Sequence, residues 1–211
     1  MDPTTFRSWL RILSHVPKAF LWLLRFPDLG ESHLRRTAVA WAGAQVADRI
    51  IFTDVAPKSQ HISRGRVCDL FLDTPECNAH TTAADVLWSS TPLLTLPRYS
   101  YKMCSRMAAS ILRGALPRTE EGARVADELI VGDDEQYERA AVELASGLSY
   151  SITRDGYGAG RGRLAEMRRM LFESRWTCAL FDTRRWVGDV ERAYEEAWRK
   201  WVSGEAGDIY L

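Results

Sequence analysis

"LFLDTPECNAHTTAADVLWSSTPLLTLP", residues 70–97, runs from a short apolar segment through a small polar turn into a helical pattern, then into a second apolar segment closed by proline. "LFLDT" (70–74) and "LLTLP" (93–97) have the length and the Leu-rich composition of buried strands, and residues 81–89 between them read as a helix. Strand, crossover helix, strand is the unit of a parallel sheet. The same order occurs upstream, where "AFLWLLRF" (19–26) and "RIIFTDV" (49–55) read as strands. "DELIV" (127–131) is a weaker fifth candidate, and helical patterns at about 31–45, 58–66 and 103–114 complete the alternation. The expected fold is α/β with a Rossmann-like parallel sheet.

The flanks are helical. "DPTTFRSWLRILSHV" carries Phe6, Leu10 and Leu13 at helical spacing behind a start cluster of Asp, Pro and Thr. Beyond residue 132, "DDEQYERAAVELASGL" opens with acids that suit a helix N-terminus. "RDGYGAGRGR" (154–163) reads as a Gly/Arg-rich break, and "RRWVGDVERAYEEAWRKWV" as a final long helix. In that helix Trp186, Val190, Ala193, Ala197 and Trp201 share one face. Its polar face mixes acids with bases, which favours packing on the domain's own core over a membrane surface.

Composition narrows the partners. The 211 residues are 46% hydrophobic and hold 28 basic and 28 acidic side chains, so no global positive charge is available for nucleic acid or an anionic membrane. Any anion site must be local. The four cysteines, Cys68, Cys77, Cys104 and Cys178, form no C-x-x-C pair and no metal-ligand rhythm with the four histidines. They read as reduced thiols of a cytoplasmic or nuclear protein, and no metal is expected. Apolar stretches such as "AFLWLL" fall far short of the roughly 20 residues of a membrane span, and the N-terminus does not fit a signal peptide.

Ligands of open parallel sheets bind beyond the carboxyl ends of the strands. Two segments there carry chemistry. In "DVAPKSQHISRG" (54–65), a helix past Pro57 would place Lys58, His61 and Arg64 on one side within two turns. A cation, a flat ring and a guanidinium facing one way suit a nucleotide; a solvated basic face fits the spacing equally well. In the opening stretch, His80, Thr81 and Thr82 stand where a helix begins, with Asp85 one turn on. Free amides and the positive end of the helix dipole make such a turn a phosphate cradle, to which the threonine hydroxyls add donors. Thr81 acting only as an N-cap is the other reading of this turn. With no G-x-G-x-x-G, no Walker motif and no D-x-D pair, the expected ligand is a nucleotide diphosphate held without metal.

"LWLLRFP", "RIIF", "VAPKSQHISRG", "DLFLDTPECNAHTTAADVLWSSTP", "SRMAAS" and "LFDTRRW" together resemble the C-terminal catalytic lobe of the protein O-GlcNAc transferase family, SPINDLY-like proteins included, over nearly the whole chain. The resemblance implies a GT-B fold in which two Rossmann-like lobes enclose UDP-GlcNAc. Residues 1–211 would be a single nucleotide-sugar-binding lobe ending in long helices. It implies that Leu24, Val55 and Ala56 line the uracil site, that His61 stacks on uracil, that Lys58 and Asp85 hold the ribose, and that Arg64 closes the base pocket. His80, Thr81 and Thr82 would bind the diphosphate, the two threonines stabilising the leaving group, and Cys77 would lie near the sugar. The implied reaction is metal-free, inverting transfer of N-acetylglucosamine to Ser or Thr of acceptor proteins, with UDP-GlcNAc as donor substrate and no cofactor.

There are departures from the family pattern. Ala79 and Ala83 stand where the family has glycines, "LPRYSYKMCSRMAAS" carries extra residues, and "RDGYGAGRGR" matches no family feature. The family's helical repeats, its N-terminal catalytic lobe and a lysine that neutralises the departing diphosphate do not occur among these residues, so the chain alone is expected to be an incomplete, inactive half. Three alternatives stay open on sequence: the lobe of a GDP-fucose-using protein O-fucosyltransferase, a non-catalytic nucleotide-binding interaction module, and a structural α/β domain with no ligand.

Overall fold

The computed structural model describes residues 2–156 and 158–210. Helix α1 (Pro3–His15) starts where Asp2 accepts from the Thr5 amide, and it buries Phe6, Trp9, Leu10, Ile12 and Leu13. Full burial of each large apolar side chain contributes about 1.5–3 kcal/mol. Strand β1 (Leu21–Leu24), helices α2 (Asp28–Ala42) and α3 (Ala44–Ala47) and strand β2 (Ile50–Thr53) follow. Arg49 fixes the end of α1 beside the strands, because its guanidinium donates to the Leu13, Val16 and Ala19 carbonyls at 2.7, 2.9 and 3.0 Å.

β1 and β2 pair in parallel from Leu21↔Ile50 to Leu24↔Thr53. Helix α4 (Lys58–Gly65), strand β3 (Phe71–Leu72), helix α5 (Thr81–Trp88) and strand β4 (Leu93–Leu94) come next, with β3 and β4 also parallel. Helices connect the strands within each parallel pair, as the alternation predicts, while among the described residues the pairs β1–β2 and β3–β4 are separate two-stranded ladders joined through α4. The strands are shorter than the apolar runs that announce them, although single backbone bonds such as Asp73 N–H to the Leu94 carbonyl extend the ladders by a residue.

Helices α6 (Met107–Ala115), α7 (Glu120–Leu129) and α8 (Asp134–Ser146) cover one side. The expected strand 127–131 is corrected here. Asp127–Leu129 close α7, whose face of Val125, Ala126 and Leu129 is buried, and Ile130 alone bridges in parallel to Thr95. The break expected at 154–163 is also corrected: β5 (Ser149–Ile152) and β6 (Gly158–Arg161) form an antiparallel hairpin leading into α9 (Arg163–Ser174). Gly162 at that junction has φ +104°, and a Cβ there would lie 2.2 Å from the Gly147 carbonyl oxygen, so the turn admits only glycine.

The final helix, α10 (Thr183–Ser203), has the expected extent but buries no residue. Trp186 and Trp201 are 62% and 80% exposed, against the expectation that their face packs on the core. An apolar stripe shows which side of a helix lacks water affinity; it does not show that this domain supplies the cover. Among the described residues no helix is long and apolar enough to cross a membrane.

Candidate donor site

Parallel pairing puts the carboxyl ends of β1 and β2 side by side, and the ladder runs on as the Arg25 amide donates to the Thr53 carbonyl at 2.8 Å. Leu24 is exposed at this edge, with Val55 exposed and Ala56 half-buried just beyond β2. The sequence-predicted residues Leu24, Val55 and Ala56 thus border one apolar rim.

Helix α4 begins at Lys58 behind Pro57, with no side chain capping its N-terminus. Arg64 reaches back from its last turn, donating to the Asp54 carbonyl at 2.9 Å and lying over the Trp22 ring with its carbon 5.3 Å from the ring centre. Trp22 is itself fixed by donation to Thr53 Oγ1 at 2.7 Å. Nε and Nη2 of Arg64 remain buried without an acceptor. Two buried cationic donors without partners are costly unless a ligand oxygen meets them.

Helix α5 begins at Thr81. Its N-cap residue is His80, whose side chain makes no capping bond. Thr81 therefore stands inside the first turn and does not cap it. The first amides of the helix have no intrahelical acceptor by construction, and the Thr81 and Thr82 hydroxyls flank them. His80 Nε2 is buried and unpartnered at the same place. The side chains of Lys58, His61, Thr81, Thr82 and Asp85 make no hydrogen bond or ion pair within the described chain. Ala83 is fully buried and Ala79 packs against the core, so the methyl groups that replace the family glycines are turned into the domain.

The two helices are tied together. Ser89 Oγ donates to the Ile62 carbonyl at 2.5 Å and Thr91 Oγ1 to the Gly65 carbonyl at 2.9 Å. α4 follows β2 and α5 follows β3, and the two packed helices each begin at an uncapped N-terminus. Lys58, His61 and Arg64 lie on the first of these helices, and His80, Thr81, Thr82 and Asp85 stand in or beside the opening turns of the second.

The loop between β3 and α5 is held from below by Asp73, a residue to which the sequence reading gave no role. Asp73 is 1% exposed; it accepts from the Ala79 amide at 2.7 Å and from Thr95 Oγ1 at 2.7 Å. Burial pushes its carboxyl up to about 6, against the lowering effect of these bonds and of nearby His80. Its carbonyl accepts from Tyr137 OH at 2.8 Å, and that hydroxyl accepts from Trp9 Nε1 at 3.2 Å. α1, α8 and the loop are thereby joined through one buried chain of bonds. From the outer side, the segment "LPRYSYKMCSR" wraps the same loop. Ser105 Oγ donates to the Pro75 carbonyl and Lys102 Nζ to the Glu76 carbonyl, both at 2.7 Å, while Tyr99 OH donates to the Glu76 carboxylate at 2.8 Å. The extra residues noted in the sequence have this structural use. Cys77 is exposed on the loop, with its carbonyl accepting from Thr74 Oγ1 at 2.5 Å.

Two concavities among the described residues, one beside α9 around Met170 and one between α2 and α3 around Val39, include none of the residues named above.

The sequence pattern of glycosyl transferase family 41 matches residues 1–190. The chain belongs to that family. Family 41 relatives with catalytic names lie close in sequence. The chain is 42% identical over 205 residues to the probable UDP-N-acetylglucosamine–peptide N-acetylglucosaminyltransferase SEC of Arabidopsis thaliana, covering 97% of this chain and 18% of the relative. It is 37% identical over 204 residues to the corresponding transferase of Caenorhabditis elegans, covering 97% of this chain and 16% of that protein. The chain therefore spans less than a fifth of the length of these relatives. In structure it resembles a mutant O-GlcNAc transferase of Thermobaculum terrenum, with TM-score 0.74 and 23% identity, over 95% of this chain and 34% of that one. The expected α/β architecture of a GT-B lobe is borne out by this likeness.

Proposed function

We propose that residues 1–211 form the donor-binding lobe of a protein O-GlcNAc transferase and that UDP-GlcNAc lies along the carboxyl edge of β1, β2 and β3. The observation that carries this is the pair of adjacent uncapped helix N-termini, each bordered by side chains without protein partners. In this reading uracil lies on His61 between the Leu24, Val55 and Ala56 rim and the Arg64 guanidinium. Lys58 and Asp85 hold the ribose, Cys77 borders the sugar, and the diphosphate sits on the α5 N-terminus among His80, Thr81 and Thr82. The names of the curated relatives support uridine over guanosine.

The chemistry assigned to these residues is stabilisation of a leaving group. As the sugar–phosphate bond breaks, negative charge grows on the departing diphosphate, and donors already aimed at that position lower the barrier. The α5 amides, the dipole of that helix and the Thr81 and Thr82 hydroxyls are such donors, and none needs to leave a protein partner first. Inversion without a metal, acceptor recognition and a location in cytoplasm or nucleus belong to the same proposal. Residues outside this chain supply the acceptor side of the reaction.

A thermal-shift titration with UDP and GDP, repeated on His61→Ala, tests the reading. Selective stabilisation by UDP that the substitution abolishes is the expected result. A preference for GDP would reassign the lobe to fucose chemistry, and a folded chain indifferent to both nucleotides would overturn the donor site.

A further inference from the structure

The loop that leads into α5 carries a cysteine whose backbone lies beside that of a second one. The Asn78 amide donates to the Cys104 carbonyl at 2.6 Å. With standard bond lengths, that single bond holds the Cα atoms of Cys77 and Cys104 within about 7 Å of one another. Disulfides need Cα separations of about 4.4–6.8 Å, so the backbone is already at bridging range or within a small adjustment of it. Three bonds hold the two segments in this relation: Asn78 N–H to Cys104 O, Ser105 Oγ to Pro75 O and Lys102 Nζ to Glu76 O. The two thiols lie close enough for Cys104 to raise the Cys77 thiol, while the Cys77 sulfur itself points to the Asn78 carbonyl at 4.0 Å on the same stretch of loop. Cys77 is exposed and Cys104 half-buried, which gives an oxidant one accessible sulfur and leaves the other to resolve the product. The remaining cysteines are placed differently: Cys178 is buried, and Cys68 lies in the segment between α4 and β3.

We infer that Cys77 and Cys104 are a thiol–disulfide modification site, closed by a peroxide and reopened by a dithiol, which staples the loop before α5 to the segment wrapped around it. In the first step the Cys77 sulfur attacks one oxygen of hydrogen peroxide, the O–O bond breaks, and sulfenic acid and water form. The Cys104 sulfur then attacks the sulfenic sulfur, the S–O bond breaks, and a second water leaves. Two thiols are oxidised by two electrons and one peroxide is reduced to two waters. Burial and the neighbouring thiol hold Cys77 above the usual thiol range, opposed by the Lys102 ammonium, so closure is slow near neutral pH and quickens as pH rises.

The bridge encloses the chain between residues 77 and 104, a loop length for which cross-linking raises the melting temperature of a domain this size by on the order of 10 °C. The experiment compares the reduced chain, the chain treated with hydrogen peroxide and the treated chain returned to dithiothreitol. Melting temperature and peptide mapping without reductant are the readouts, and Cys104→Ser serves as the variant that cannot close. The expected result is a linked peptide pair containing Cys77 and Cys104, a rise in melting temperature reversed by dithiothreitol, and no rise in Cys104→Ser. A link between other cysteines, an intermolecular link, or Cys77 oxidised while Cys104 stays free would overturn the inference. The wild-type comparison stands without the variant, and none of these readouts depends on nucleotide binding.

Discussion

Replacing Asp73 by asparagine changes how stability depends on pH, and the direction follows from burial. The Asp73 carboxyl sits at about 6 in the fold against an ordinary 3.8, so between those values the folded chain holds a proton that the unfolded chain has released. Stability from this group is then complete below about pH 4 and is lost as pH rises through about 6. The gap corresponds to about 3 kcal/mol at 1.36 kcal/mol per pH unit. Asparagine keeps an oxygen for the Ala79 amide and turns its NH₂ toward Thr95 Oγ1, which has lone pairs to accept it. Urea denaturation of both proteins from pH 4 to 7.5 measures the effect. The Asp73→Asn protein should gain on the wild type by about 2.4 kcal/mol across that range, a little less than the full gap because the unfolded carboxyl is already partly ionised at pH 4. A difference that stays flat with pH, or that moves in favour of the wild type as pH rises, would refute the claim that burial dominates at Asp73.

Two further substitutions address neighbouring features. Thr82→Ala, in a transferase containing this lobe, should lower turnover by about 100- to 1000-fold if its hydroxyl faces the departing diphosphate; an unchanged turnover rate with saturating donor would remove it from that role. Tyr137→Phe strips the Trp9 indole and the Asp73 carbonyl of their shared buried partner and should destabilise the chain by about 1–3 kcal/mol in chemical denaturation. A loss below about 0.5 kcal/mol would mean that water replaces the hydroxyl.

Much of the donor edge is legible in sequence because its logic is local. Short apolar runs, a proline before Lys58 and a polar turn before Thr81 each act over a few residues, and β2–α4 and β3–α5 fall close to where those signals put them. Asp73 is not legible in this way. Its meaning lies in bonds to Ala79 and Thr95 and in burial under α1 and α8, which only the folded chain creates. Trp22 beneath Arg64 and Cys104 beside Cys77 are likewise paired across 42 and 27 positions (64 − 22 and 104 − 77). The α10 stripe and the 154–163 segment fail for a further reason. Periodicity and glycine content describe what a segment can do, while its neighbours decide whether the stripe is covered and whether the glycines make a break or a hairpin.

The ties from Ser89 to Ile62 and from Thr91 to Gly65 have a consequence for ligand choice. They join α4 and α5 away from the first turns, so the two helix mouths cannot drift apart or together without straining them. The edge then behaves as a fixed caliper. In the donor-binding reading proposed above, a nucleotide engages both mouths only if the spacing between its base and its phosphates equals the spacing between the helices. Selection by length thus precedes selection by hydrogen bonding, and a base or a phosphate offered alone meets half of the gauge.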